Sequence, residues 1–304
     1  MKVLVTGAAG FVGRSLCEAL AREHHVTGID RRHDMPDILD ETIVADLSDP
    51  GDDALAALRS ADAVWHLAAR PGVREPGPAA EAARLRDNVV ACELVMKQVP
   101  ADVPVVFTSS SSVYGGSIRN GVVKASEEAD PLRPKGGYAR SKVRAEEICA
   151  ARRRRGGAVV VARPFTVVGA GQRPDMALAR WVDATLSGEP ISVFGSLRRS
   201  RDFTDLNEVS RALIRLSATG IGRTVNVGTG VTHSLAELID AIFDACGRTT
   251  EVRIVPAPLE EIPATLARTD LLEELVGFVP RTHLRQVVKR HVEQLAVSVE
   301  REYA

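Results

Sequence analysis

Only four cysteines stand in 304 residues. Cys17, Cys92, Cys149 and Cys246 are scattered, no two have CxxC spacing, and no histidine lies at a ligand interval. This fits a reduced, cytoplasmic protein without a structural metal. Net charge is missing too: 39 Lys+Arg stand against 40 Asp+Glu. Nothing in that balance points to nucleic acid or another polyanion. The densest basic run, "ARRRRGG" (Ala151 to Gly157), follows a helical pattern and reads as an exposed helix end, where cations suit the dipole. No apolar stretch is long enough to cross a bilayer. Internal repeats and low-complexity tracts are absent. The N-terminal "MKVLVTGAAGFVG" has the lysine and apolar residues of a signal peptide. Its regular glycines and the amphipathic "RSLCEALARE" that follows read instead as strand, turn and helix.

What is present is an alternation. "KVLVTG", "HVTGID", "TIVADL", "AVWHLAA", "VPVVFTSS" and "AVVVARPF" read as short buried strands. Helical patterns separate most of them, including a long one from about Pro78 to Val99 and "YARSKVRAEEICAARRRR". Short apolar runs between helices imply a parallel sheet covered on both faces, the α/β doubly wound architecture. After Arg163-Pro164 the rhythm loosens and Gly and Pro become frequent. Helical segments are expected near 175–187, 205–217, 234–246 and 282–302. The expected division is a nucleotide-binding domain over 1–163 and a smaller C-terminal lobe over 164–304. Residues 202–228 are expected to return to the main sheet.

"TGAAGFVG" (Thr6 to Gly13) sets Gly7, Gly10 and Gly13 in a G-x-x-G-x-x-G pattern between a strand and a helix. The first glycine permits the tight turn, the second lets a pyrophosphate approach the backbone, and the third lets helix pack on strand. The helix N-terminus adds amide donors and positive potential. Asp30 ends the second strand. A carboxylate there bonds ribose hydroxyls and repels a 2′-phosphate, which favours NAD over NADP. Arg31 and Arg32 pull the other way. Asp46 and Leu47 follow the third strand. Asp46 is placed either to meet an adenine or to cap a helix.

Tyr138 and Lys142 form Y-x-x-x-K at a helix start, where positions i and i+4 share a face. An ammonium beside a phenol lowers its pKa from about 10, so a phenolate can serve as base near neutrality. "TSSSSVYGG" (Thr108 to Gly116) ends the fifth strand, at the carboxyl edge where such sheets bind ligands.

Together these motifs resemble the extended short-chain dehydrogenases/reductases, in the nucleotide-sugar epimerase and dehydratase group. The resemblance spans essentially the whole chain: "TGAAGFVG", "ADL", "HLAA", Asn88, "SSSSVYG", "YARSK", "RPFTVVG", "RDFTDL" and "VNVGTG". It implies a Rossmann-like fold with a substrate-binding lobe. Ser110 would bond the reacting sugar oxygen and Tyr138 would be the base. Lys142 would hold the nicotinamide ribose and tune Tyr138. Phe11, Val12, Leu67, Ala68, Ala69 and Pro164 would join the cofactor contacts. Sugar dehydratases carry Asp-Glu after the catalytic Ser/Thr, and UDP-glucuronate decarboxylases carry Glu before Val-Tyr-Gly. Here those positions are Ser111 and Ser112, without a carboxylate.

"RPFTVVGAGQRPDM" and "GVR" (Gly72 to Arg74) are similar to signatures of UDP-glucuronate 4-epimerases. By that resemblance Ser111, Ser112 and Thr166 would bond the sugar carboxylate. Arg173 would be a direct partner or a structural residue. Phe194 would stack on uracil and Arg201 would meet the diphosphate. Three positions depart from the pattern: Val168 replaces Tyr, Ala170 replaces Pro, and Glu261 replaces Asp. The nucleotide-binding Arg of galactose-type epimerases has no counterpart around Ala257.

The implied reaction is 4-epimerisation of UDP-glucuronate to UDP-galacturonate with retained NAD, through a 4-ketone. That ketone is beta to the C6 carboxylate, so carbon dioxide loss competes. Hydrogen bonds to the carboxylate are worth roughly 1.5–3 kcal/mol each and would hold it out of alignment. The plainer readings are a loop lined by Ser111 and Ser112 and an ordinary strand residue at Thr166. A UDP-glucuronate decarboxylase, a neutral-sugar 4-epimerase and a non-catalytic NAD-binding sensor are the alternatives. Arg74 is unassigned, His66 reads as structural, and Trp65 and Trp181 read as core or interface. A homodimer is expected by analogy with the fold.

Overall fold

The computed structural model describes residues 1–72, 77–220 and 222–302. Seven parallel strands form the central sheet: β1 (Lys2–Thr6), β2 (His25–Asp30), β3 (Glu41–Val44), β4 (Ala63–His66), β5 (Val105–Thr108), β6 (Val159–Pro164) and β7 (Thr224–Val227). Their spatial order is β7-β6-β5-β4-β1-β2-β3. The order reverses between β1 and β4, which pair from Val3↔Ala63 to Thr6↔His66. Ligands of such sheets bind in the crevice at that switch point, beyond the carboxyl ends of the strands.

The near-continuous apolar strands follow from burial on two faces. Val3 and Val5 point into one core with Leu16, Leu20, Val209 and Leu213, so helices Phe11–Leu20 and Leu206–Ser217 cover that face. Leu4 points the other way, toward Leu58, Val95 and Cys149. Helices Asp52–Ser60, Ala91–Gln98 and Gly136–Arg154 cover that side. The long helix expected from Pro78 is interrupted: a π-helical turn, Leu85–Val90, separates Pro78–Arg84 from Ala91–Gln98. Thr224–Val227 pairs with Val161 to Pro164, which brings a late segment back to the main sheet.

A third core lies outside the sheet. Trp181, Ile191, Phe203, Leu238, Ile242 and Val288 bring together helices Ala177–Ser187, Leu235–Cys246 and Leu284–Glu302. The short helix Asp270–Val276 was not legible in the sequence pattern. The basic run is corrected in one respect. Arg152 is buried, not exposed, and its guanidinium donates to the carbonyls of Met96, Val99, Pro100 and Val103. Those bonds satisfy carbonyl groups that a helix end leaves open. Among the described residues, no helix is long and apolar enough to cross a membrane, and no cluster of three acidic, His or Cys side chains could hold a metal.

Candidate active site

The glycine turn is built by contact. Gly7 has φ +75°, and a Cβ there would lie 2.7 Å from the Ala68 nitrogen. A Cβ on Gly13 would collide with the Gly7 carbonyl oxygen, and one on Gly10 would come within 2.9 Å of it. Only glycines let helix Phe11–Leu20 begin this close to the end of β1. Gly10 is its N-cap and offers no side-chain cap, so the first-turn amides are left for a ligand. Asp30 stands beside this turn. It accepts from the Ala9 amide at 3.1 Å and from the Arg32 amide at 3.1 Å. Arg31 pairs with the buried Asp87, at 3.1 and 3.2 Å.

Ser110, Tyr138 and Lys142 meet beyond the carboxyl end of β5. Ser110 caps the 3-10 turn Ser111–Tyr114, its hydroxyl accepting from the Ser112 amide at 3.2 Å. Tyr138 and Lys142 lie on successive turns of helix Gly136–Arg154. The Lys142 Nζ donates to the Thr108 carbonyl at 2.7 Å and sits 4.9 Å from the Phe107 ring centroid. It is 6.0 Å from the Tyr138 ring centroid. Burial pulls the Lys142 ammonium down to about 8. Burial also pushes the Tyr138 phenol above its ordinary value, against a Ser110 hydrogen bond and the Arg173 charge. This differs from the expectation of a phenol lowered by its lysine. Desolvation outweighs the opposing charges and hydrogen bonds at both groups, and the ammonium is committed to a backbone carbonyl.

Behind the serine run lies a buried network that the sequence reading missed. Arg163 and Glu146 pair at 2.6 and 2.9 Å. The Ser109 hydroxyl donates to Glu146 at 2.5 Å. Arg163 also donates to the Tyr114 hydroxyl at 2.7 Å, which donates to Asn226 Oδ1 at 2.7 Å. Spacing could have flagged Glu146: it stands four residues after Lys142, on the same helix face. Asn88 ties the loop after β4 to the Tyr138 helix, accepting from the Arg70 amide at 2.6 Å and donating to the Ser141 hydroxyl at 2.9 Å.

These elements enclose a cavity of about 1110 Å³. Its wall includes Gly7, Gly10 to Gly13, Asp30, Leu47, Leu67 to Ala69, Ser110 to Ser112, Tyr138, Lys142 and Pro164. From the chain after Pro164 it includes Thr166, Arg173, Phe194 and Arg201. Asp46 is not on the wall. Its carboxylate accepts from the Ser48 amide at 2.9 Å and hydroxyl at 2.7 Å, both through Oδ1, which makes a local turn; the helix that follows is capped by Gly51 and not by Asp46. The Ser112 hydroxyl oxygen is buried without a partner. Arg173 is bidentate on Asp175 at 2.7 and 2.8 Å, and Arg201 pairs with Glu261 at 2.6 Å. Gln172, Arg180 and Glu260 also line the cavity and carried no sequence signal. Arg74 lies outside the described residues.

Residues 3–228 match the NAD dependent epimerase/dehydratase family. The chain belongs to that family. An uncharacterized UDP-glucose epimerase of Bacillus subtilis is 31% identical, over 97% of this chain and 98% of its own length. A probable UDP-glucuronate 4-epimerase of Rhizobium meliloti is 30% identical, over 96% of each. Among solved structures, MoeE5 in complex with UDP-glucuronic acid and NAD is similar, with TM-score 0.88 and 36% identity over 98% of this chain and 100% of that one. UDP-glucuronic acid 4-epimerase from Bacillus cereus, with the same two ligands, has TM-score 0.90 and 26% identity over 98% and 100%. The glycine turn fits this NAD-dependent family: three positions without room for a Cβ leave backbone amides facing an open cavity.

Proposed function

We propose that this chain is an NAD-dependent 4-epimerase of a UDP-uronic acid, interconverting UDP-glucuronate and UDP-galacturonate. Residues 164–304, apart from about 202–228, act in this reading as the substrate lobe. The observation that carries the uronate is the wall opposite Tyr138. Ser111, Ser112, Thr166 and Arg173 share one cavity, and positions 110–112 hold no carboxylate.

Gly7, Gly10, the amides after Gly10, Asp30 and Lys142 would hold NAD, which supplies a reversible two-electron acceptor for the sugar's C4. Tyr138 takes the proton of the 4-hydroxyl and returns it. Ser110 bonds the same oxygen in both directions. The serines and Thr166 hold the C6 carboxylate ionised and twisted out of line with the 4-ketone, so that carbon dioxide is kept. Arg173 adds charge if it leaves Asp175. A neutral UDP-hexose is the second reading, because the Arg173 charge is already compensated by Asp175.

The test is product analysis. Wild type is expected to interconvert the two UDP-uronates with little carbon dioxide. Ser111→Ala with Thr166→Val removes two donors worth roughly 3–6 kcal/mol of restraint together and should raise carbon dioxide released per epimerisation. An unchanged ratio sinks the role of the hydroxyls. Faster turnover of UDP-glucose than of UDP-glucuronate sinks the uronate.

A further inference from the structure

A UDP-sugar brings a diphosphate with two negative charges, and the lobe wall must meet it with cations. Three arginines face the cavity there: Arg173, Arg180 and Arg201. Two are already compensated. Arg173 is bidentate on Asp175. Arg201 pairs with Glu261 and also donates to the carbonyls of Ser200 and Ile262, each at 2.8 Å. Glu260 and Glu261 both lie on the same wall. Their carboxylates oppose a diphosphate and raise the need for an uncommitted cation. Lys135 also faces the cavity. It immediately precedes the helix that carries Tyr138, which places it at the sugar end.

Arg180 differs from the other two arginines. It is exposed, and it makes no ion pair or side-chain hydrogen bond among the described residues. It stands in the first turn of helix Ala177–Ser187, four residues after Met176 and on the same face. Met176 and Ala177 line the cavity with it. The helix is pinned to strand Ile191–Phe194 by the Trp181 indole, which donates to the Ser192 carbonyl at 3.3 Å. Its position is therefore fixed relative to Phe194, the aromatic residue assigned to the base.

We propose that Arg180 is the diphosphate-binding arginine of this chain and takes the part of the cation missing around Ala257. The assignment rests on the UDP-sugar reading. Planar guanidinium donors match phosphate oxygens in pairs, so an arginine uncommitted before binding can deliver its full charge.

Calorimetry on the NAD-loaded enzyme tests it, with UDP and with uridine as probes. Arg180→Gln should raise the Kd for UDP about 10- to 100-fold, the range for losing a charged hydrogen bond. The Kd for uridine should stay within about twofold. Arg180→Lys, which keeps the charge and loses the fork, should fall between. NAD content and unfolding temperature should not change, because the side chain is exposed and unpaired. A UDP Kd within about twofold of wild type in Arg180→Gln overturns the assignment, and so does equal weakening of UDP and uridine. A wild type that binds neither probe overturns the UDP-sugar reading, and this assignment with it.

Discussion

Glu146→Gln is the substitution with the largest effect to be worked from the geometry. Glu146 and Arg163 are 8% and 5% exposed at their side chains. Burial alone would pull the Arg163 guanidinium down, but the Glu146 pair outweighs it and its pKa is pushed up. The variant keeps the shape and removes the charge that compensates Arg163. Breaking one side of a buried pair costs about 3–5 kcal/mol. At roughly 2–4 °C per kcal/mol, the unfolding temperature should fall by about 6 °C or more. The effect should also reach the chemistry, because Ser109 donates to Glu146 and adjoins Ser110. Adding Arg163→Met removes the stranded charge and should recover at least about 1 kcal/mol, since apolar replacement of a whole buried pair is often near neutral. The assay is thermal and urea unfolding of wild type, both single variants and the double variant. Costs that simply add, or a Glu146→Gln cost below about 1 kcal/mol, would show that the pair is not coupled.

Two further outcomes are expected. Denaturing the purified protein should release NAD(H) in excess of NADP(H), because Arg31 is held by Asp87 and Asp30 lies beside the glycine turn; recovery of mainly NADP(H) would reverse that assignment. In cofactor-free protein, Lys142 loses its proton near pH 8 when folded and near 10.5 when unfolded. The unfolded state then binds more protons between those values, so stability rises with pH through that window, by about 3 kcal/mol at ~1.4 kcal/mol per unit. Below pH 8 the full cost of the buried ammonium remains. Lys142→Met should flatten this rise relative to wild type, and an identical pH dependence in the variant would place the ammonium outside the desolvated site.

The Rossmann half was legible because its signals are local. Gly7, Gly10 and Gly13 fall on one turn, Asp30 on one strand end, and Tyr138 and Lys142 on one helix face. Strand register follows from apolar runs that both cores need. The missed features are long-range. Arg163 and Glu146 lie 17 residues apart, on a strand and a helix that only the fold brings together. Arg152 looked like one more exposed cation until four carbonyls from a separate helix end were placed around it. Asp46 fits both an adenine contact and a cap by position. The structure removes the cap, because Gly51 starts the following helix, and shows one carboxylate oxygen closing a turn onto Ser48.

The same contrast divides the cavity. The serine run and the Tyr138 helix are tied from behind by Glu146, Arg163 and Asn88. Their geometry is therefore set before any ligand arrives, as proton transfer requires. On the lobe wall, Arg173 and Arg201 sit in pairs with Asp175 and Glu261. An anionic substrate can draw on those charges only by displacing carboxylates of the chain. Each displacement offsets part of the attraction, so the lobe gains selectivity from the exchange and less affinity than its arginine count suggests. Among the described residues Arg180 has no carboxylate to displace. If Arg201 carried the diphosphate alone, Glu261→Gln should tighten UDP by freeing it. Removing a carboxylate from the wall also helps any anion, so the deciding comparison is Arg180→Gln made with and without Glu261→Gln: if Arg180 carries the diphosphate, it weakens UDP by about the same factor in both backgrounds.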